Sequence, residues 1–291
     1  MDLKFTNEQN MLRDMTNNLC ADYSGVDVVR KMENDPIGLP AALWAQMQET
    51  GLLGMRIPEA HGGMGLSLLD CAVIYEQLGR FLAPGPYFSS TVMSAGALVH
   101  SADADWQARL LPAIAAGETI VVPAWMEPDN GFGAAGVQMR ARQEGDGYVL
   151  DGVKRHVFHA RAAHKLLVLA RTGDAEDAVS LFIVDADSPG LEYTQQMSMA
   201  SDTQYKLVFK QVKVPHSSLV GRENAGWKAW DAAMHEGIVL LAAWAAGGAE
   251  RALEITVQYA KDREQFGKPI GAFQALAHYM ADASAVVDGA K

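Results

Sequence analysis

The hydrophobic pattern of this 291-residue chain changes period twice, and that double switch constrains its fold more than any single motif. From Thr6 to about Ala116 the texture is helical. Thr6, followed by Glu8 and Gln9, makes an N-cap region, and Leu43, Met47 and Leu52 recur along an amphipathic segment. The run Ile57-Pro58-Glu59-Ala60-His61-Gly62-Gly63-Met64-Gly65-Leu66-Ser67 interrupts the helices, because its glycines tolerate the positive φ of a sharp turn. Helix resumes over Leu69 to Leu82. At about Thr119 β-branched clusters and alternation take over. Tyr148 to Lys154 reads as a hairpin around Asp151-Gly152, Lys165 to Ala170 and Val179 to Val184 as buried strands, and Leu207 to Pro215 as an alternating strand. A small antiparallel barrel or sandwich packs such strands most simply. From Trp227 the helical pattern returns, and the proline-free, Ala-rich run from Ala242 to Asp262 predicts one long helix. The expected fold is α+β and multi-domain: a helical domain over 1–118, a β domain over 119–224 and a second helical domain over 225–291, with the helical parts packed together.

Composition narrows the class. Hydrophobic residues make up 49% of the chain, enough for a large core. A formal net charge of -11, with no block of Lys or Arg, argues against a general nucleic-acid binder or an anionic-membrane binder. The N-terminus lacks the basic flank and apolar core of a signal peptide, and no apolar stretch is long enough to span a bilayer, so a cytoplasmic location is expected. Cys20 and Cys71 are isolated, without metal-site spacing, and read as buried thiols; no metal site is expected.

The long helix leads into Arg263-Glu264-Gln265-Phe266-Gly267-Lys268-Pro269-Ile270-Gly271-Ala272-Phe273-Gln274. Gly267 and Pro269 stop the helix, which places Arg263 in its last turn, and Gln274 opens the next helix, so that Arg263 and Gln274 converge at one corner. A guanidinium there can grip a pyrophosphate at two points, which suits a dinucleotide. The same residues are equally compatible with Arg263 capping a helix and Phe266 packing between two helices.

Four ordered motifs tip this balance. Pro58 to Gly65, Asp151-Gly152-Val153-Lys154, the segment from Met199-Ala200-Ser201-Asp202-Thr203 to Gly221, and Arg263 to Gly267 together resemble the acyl-CoA dehydrogenase family over nearly the whole chain. The resemblance implies that fold, and FAD held between the β domain and the C-terminal helices. Arg263, Gln265, Phe266 and Gln274 would reach the cofactor of a neighbouring subunit, with Trp125, Met126, His156 and Phe158 on the flavin-facing side. It further implies an acyl-CoA thioester as substrate, α,β-dehydrogenation with hydride transfer to flavin, a homo- or hetero-oligomeric dimer or tetramer, and an electron-transferring flavoprotein as acceptor. Such chemistry needs a carboxylate base and hydrogen bonds to the thioester carbonyl in a pocket that excludes water.

The chain also departs from the pattern. Met126 stands where the family usually has Thr, and His156 and Phe158 stand where many members have Trp and Thr, so two hydroxyl donors are missing. His156 reads equally as a strand histidine with a satisfied hydrogen bond, and Trp125 equally as β-domain core. The commonest position of the base lies beyond Lys291, and the alternative position early in the preceding helix is Gly237. Glu236 is the tentative catalytic carboxylate, turned away by one residue. The ending at Lys291 suggests a truncated sequence whose natural form continues for several helices. Two other readings follow: a non-catalytic partner subunit that lends flavin contacts to a homologous chain, or a related flavin oxidase or monooxygenase.

Overall fold

The computed structural model describes residues 4–291. In chain order it contains α1 (Asn7–Tyr23), α2 (Val26–Met32), α3 (Ala41–Glu49), α4 (Leu68–Arg80), a π-helical segment (Phe88–Ser94), α5 (Ala95–His100) and α6 (Ala104–Ala115). The strands β1 (Val121–Ala124), β2 (Arg140–Glu144), β3 (Gly147–Phe158), β4 (Lys165–Arg171), β5 (Val179–Asp185), β6 (Leu191–Gln196), β7 (Gln204–Pro215) and β8 (Leu219–Val220) follow. Then come α7 (Gly226–Asp262), the short strands β9 (Glu264–Gln265) and β10 (Lys268–Pro269), and α8 (Gln274–Ala290). The chain divides into two compact units. One holds the residues through Val26 with Leu68–Ala83 and Ile238–Lys291; the other holds Asp27–Ser67 and Pro84–Gly237.

In the first unit α1 starts on a capping box: the Gln9 amide donates to the Thr6 hydroxyl and the Thr6 amide to the Gln9 side chain, satisfying two end groups that a helix cannot pair internally. α1 packs along α4, fastened by Gln9 to Asp70 at 2.9 Å and Asn17 to Gln77 at 3.1 Å. α4 meets α7 through glycines. A Cβ on Gly79 would lie 1.8 Å from the Trp244 carbonyl oxygen, and one on Gly247 would lie 1.9 Å from that of Glu76, so only glycine allows these backbones so close. Arg80 clamps the crossing through Glu250 at 2.6 Å and Glu254 at 2.9 Å.

The second unit is built around an eight-stranded sheet in the order β6-β7-β3-β2-β4-β5-β8, with β1 added on β4. The sheet is mixed rather than antiparallel throughout, since β1 runs parallel to β4 and β2 touches β4 in parallel at Arg140 and Arg171. β4 and β5 are buried along their apolar residues. The hairpin expected at Asp151-Gly152 is absent: those residues lie inside β3, and the two-residue turn falls at Gly145-Asp146, between Glu144 and its partner Gly147. Gly145 supplies the positive φ of +63° that this turn requires. Asp151-Gly152 instead makes an irregularity opposite β7, where pairing passes from Leu150 with Val212 to Gly152 with Phe209. There the Gln211 amide donates to the Asp151 carboxylate at 3.2 Å.

Candidate functional site

The face of the sheet at β3 is set by a second irregularity. The pairing of β3 with β7 slips between Lys154 and Val157, and His156 takes a φ of +52°. An inserted residue inverts the inside–outside alternation of a strand. Lys154 and Val157 are therefore both buried, while His156 and Phe158 both point outward. The His156 ring Nδ1 donates to the Gln204 side-chain oxygen at 2.8 Å, and the His156 amide donates to the Gln196 side-chain oxygen at 2.9 Å. The strand-histidine reading thus describes its contacts, on an exposed residue beside exposed Phe158.

Lys154, fully buried, organises the segment that follows β1. Its ammonium donates to the Glu127 carboxylate at 2.7 Å and to the Trp125 carbonyl at 3.3 Å, and the neighbouring Arg155 amide donates to the Met126 carbonyl at 2.9 Å. Glu127 also accepts from the backbone amides of Gln138 at 3.0 Å and Met139 at 2.9 Å. Trp125, Met126 and Glu127 are each fixed from β3. Burial pushes the Lys154 ammonium down to about 8, with Glu127 opposing the shift. Trp125 packs on Trp230 of α7 at 5.4 Å and on Phe132 at 6.0 Å. It is partly exposed, whereas Trp230 is wholly buried. The Lys154–Glu127 pair escapes a reading of the sequence, although a lone lysine at a buried position of β3 is the signal that could have found it.

The C-terminal element belongs to the first unit. α7 ends at Asp262, so Arg263 is the first residue beyond the helix rather than part of its last turn. Residues 264–269 fold into a tight hairpin in which Gln265 pairs with Lys268. The Ile270 amide closes back on the Arg263 carbonyl at 2.8 Å, bringing the start of α8 to the same corner. At the hairpin tip Phe266 and Gly267 have φ of +54° and +77°, and Phe266 is 91% exposed. Its ring stands edge-on to Phe273 at 6.1 Å. Arg263, Gln265 and Gln274 are exposed, and the Arg263 guanidinium forms no salt bridge among the described residues. Phe266 does not pack between two helices, nor does the Arg263 side chain pair with one.

Glu236 lies in the second unit and is held. Its carboxylate takes Arg56 Nε at 3.1 Å and Nη2 at 2.9 Å, and the His100 ring at 3.3 Å. Such a two-point guanidinium pair engages both carboxylate oxygens and fixes the side chain against Arg56. The tentative assignment of Glu236 as catalytic base is therefore not supported by its contacts. Arg56 and His100 carry no sequence signal, being 180 and 136 residues from Glu236. Gly237 is packed over: a Cβ there would lie 2.7 Å from the Met93 sulfur and 3.3 Å from the Phe88 ring. No cluster of His, Cys, Asp and Glu suited to a metal occurs among the described residues.

The donor set fits a dinucleotide in one region and less well in the other. A solvent-facing guanidinium, two amides and an exposed ring suit a pyrophosphate and an aromatic cofactor at residues 263–274. On the sheet face Met126 and Phe158 offer no hydroxyl. Comparison with known proteins agrees with this architecture. The N-terminal, middle and C-terminal domain models of acyl-CoA dehydrogenase match residues 6–118, 123–212 and 224–291. The chain is 30% identical over all of its length to "Probable acyl-CoA dehydrogenase YngJ" of Bacillus subtilis, covering 78% of that protein. Among solved structures it resembles the Tcur3481-Tcur3483 steroid ACAD, with 33% identity, a TM-score of 0.83, and coverage of 97% of this chain and 74% of that one. It also resembles the ChsE4-ChsE5 complex of Mycobacterium tuberculosis, with 28% identity, a TM-score of 0.85, and coverage of 99% and 76%. The chain belongs to the acyl-CoA dehydrogenase family, a family of FAD-dependent oxidoreductases.

Proposed function

We propose that this protein serves the α,β-dehydrogenation of an acyl-CoA thioester, with Arg263, Gln265, Phe266 and Gln274 contacting the FAD of a neighbouring subunit and with the segment Trp125–Met126 and the outward His156 and Phe158 on the cofactor side of this chain's sheet. The carrying observation is Phe266. A bulky residue in the left-handed region costs about 1–3 kcal/mol and points to a functional constraint, and here its ring is 91% exposed beside an Arg263 that forms no salt bridge among the described residues. A ligand or a second subunit would cover that exposed ring and engage the guanidinium. FAD, when bound, supplies a hydride acceptor for the β carbon. Arg263 would hold its pyrophosphate charge, and the Lys154 and Arg155 contacts would keep the Trp125–Glu127 backbone in one conformation. An electron-transferring flavoprotein is the proposed acceptor and an oligomer the proposed assembly. The test is an anaerobic absorbance titration of the purified chain with acyl-CoA thioesters of graded length. Flavin bands that bleach support the reading; a flavin that binds yet stays oxidised with every thioester contradicts catalysis by this chain.

A second reading is favoured by Glu236 and Gly237. With the first tied to Arg56 and the second packed under Met93 and Phe88, this chain would be the non-catalytic member of a hetero-oligomer that lends its C-terminal element to a homologous subunit. Its signature is a protein that is colourless alone and gains flavin on mixing with that subunit.

A further inference from the structure

Glu236, Arg56 and His100 border a partly open cleft of 70 Å³ in the second unit. Ile57, Pro58, Ala95 and Val99 give it carbon walls, and Thr91 enters from the π-helical segment. Arg56 and His100 are each hydrogen-bonded to Glu236, which gathers the three ionisable residues together at the cleft. Their side chains are 33%, 23% and 33% exposed for Arg56, Glu236 and His100. The guanidinium spends two of its donors on Glu236 and a third, at 3.4 Å, on the Leu66 carbonyl, leaving two of the five N–H groups that arginine carries. Glu236 Oε1 takes both Arg56 Nη2 and the His100 ring, whereas Oε2 takes Arg56 Nε alone and retains acceptor capacity. The same cleft can therefore donate to a carbonyl oxygen and accept from a hydroxyl.

The cleft adjoins the first third of α7 at Glu236, and the next residue, Gly237, is the position at which the resemblance puts a base in some members. We propose that the cleft receives the far end of a short acyl chain and selects one that ends in an oxygen-bearing group, a hydroxyl or a ketone, over a plain alkyl group. This inference rests on the acyl-CoA reading above. At about 30 Å³ for each water-sized group, the cleft holds a terminal group rather than a long chain. An alkyl end pushed against Arg56, Glu236 and His100 would strip water from polar groups without replacing its hydrogen bonds, whereas an oxygen would replace them.

The experiment is calorimetric binding of pentanoyl-CoA and 5-hydroxypentanoyl-CoA to the full chain, with two variants. His100→Leu removes one donor and keeps the Arg56–Glu236 pair; the double variant R56L/E236L removes both charges together, so that neither is left buried alone. The expected result is an affinity about tenfold higher for the hydroxylated thioester, a smaller preference in His100→Leu and none in the double variant. A merely structural cluster would move both affinities equally. Equal wild-type affinities would overturn the inference and leave the acyl-CoA reading standing, a preference that survives in both variants would overturn the role of the cluster, and no binding of either thioester would overturn both readings.

Discussion

At the scale of single residues, Phe266 and His159 show how conformation and burial become measurable. Phe266 occupies the first position of a two-residue turn whose φ values are both positive, a geometry that Asn followed by Gly adopts with least strain. Phe266→Asn should therefore raise stability by about 1 kcal/mol while weakening flavin binding, and thermal denaturation beside a flavin titration reads both effects. Burial pushes the His159 imidazole down to about 4 from an ordinary 6.5, with Asp202 opposing the shift. Between those values the unfolded chain holds more protons than the folded one, so stability falls as the pH drops from 6.5 towards 4. His159→Asn should flatten this acid-side loss, as read from denaturant midpoints at neutral pH and near about pH 4.5. The exposed corner at Arg263 and Phe266 is legible in the sequence as a contiguous motif, whereas its role in cofactor binding is a proposal. Arg56, His100 and Glu236 are not legible, because their association is made by folding over separations that no local pattern records. Glu127 and Lys154 fall between these cases: a lysine in a buried strand implies a partner, but local pattern does not say which carboxylate it is.

At the scale of elements, two features carry the site. The slip in β3 sends Lys154 inward and His156 and Phe158 outward, and Lys154 then ties down the segment after β1. Lys154→Met should destabilise the protein by about 3–5 kcal/mol, because Glu127 is left buried without its cation. The double variant K154M/E127Q should recover much of that loss, as measured by urea denaturation. The second feature is the glycine-lined crossing of α4 and α7. Gly247→Ala sets a methyl group against the Glu76 carbonyl, which would lie 1.9 Å from it, and should cost about 1–3 kcal/mol or more by forcing the helices apart. Helical and strand periods located most of these elements. The Asp-Gly pair was misread as a turn because both a hairpin and a bulge use glycine's freedom, and only the pairing with β7 tells them apart.

At the scale of the whole molecule, the order of helices, strands and helices was visible as two changes of hydrophobic period, and the family models match the chain in that order. The mixed character of the sheet was not visible, since parallel pairing of β1 with β4 joins strands separated by two others. No helix among the described residues is long and apolar enough to cross a membrane. The proposed sites fall in different compact units: the sheet face and the Glu236 cleft in one, and the exposed C-terminal element in the other. The central claim is that Arg263 and its hairpin exist to hold a dinucleotide. Its most direct test is the dissociation constant of FAD for the wild-type chain and for Arg263→Ala, with thermal stability followed in parallel. An exposed arginine without a partner should leave stability within about 0.5 kcal/mol, while its loss should weaken FAD binding by about tenfold or more. Unchanged affinity for FAD in Arg263→Ala, on a protein that binds the cofactor, would contradict the account.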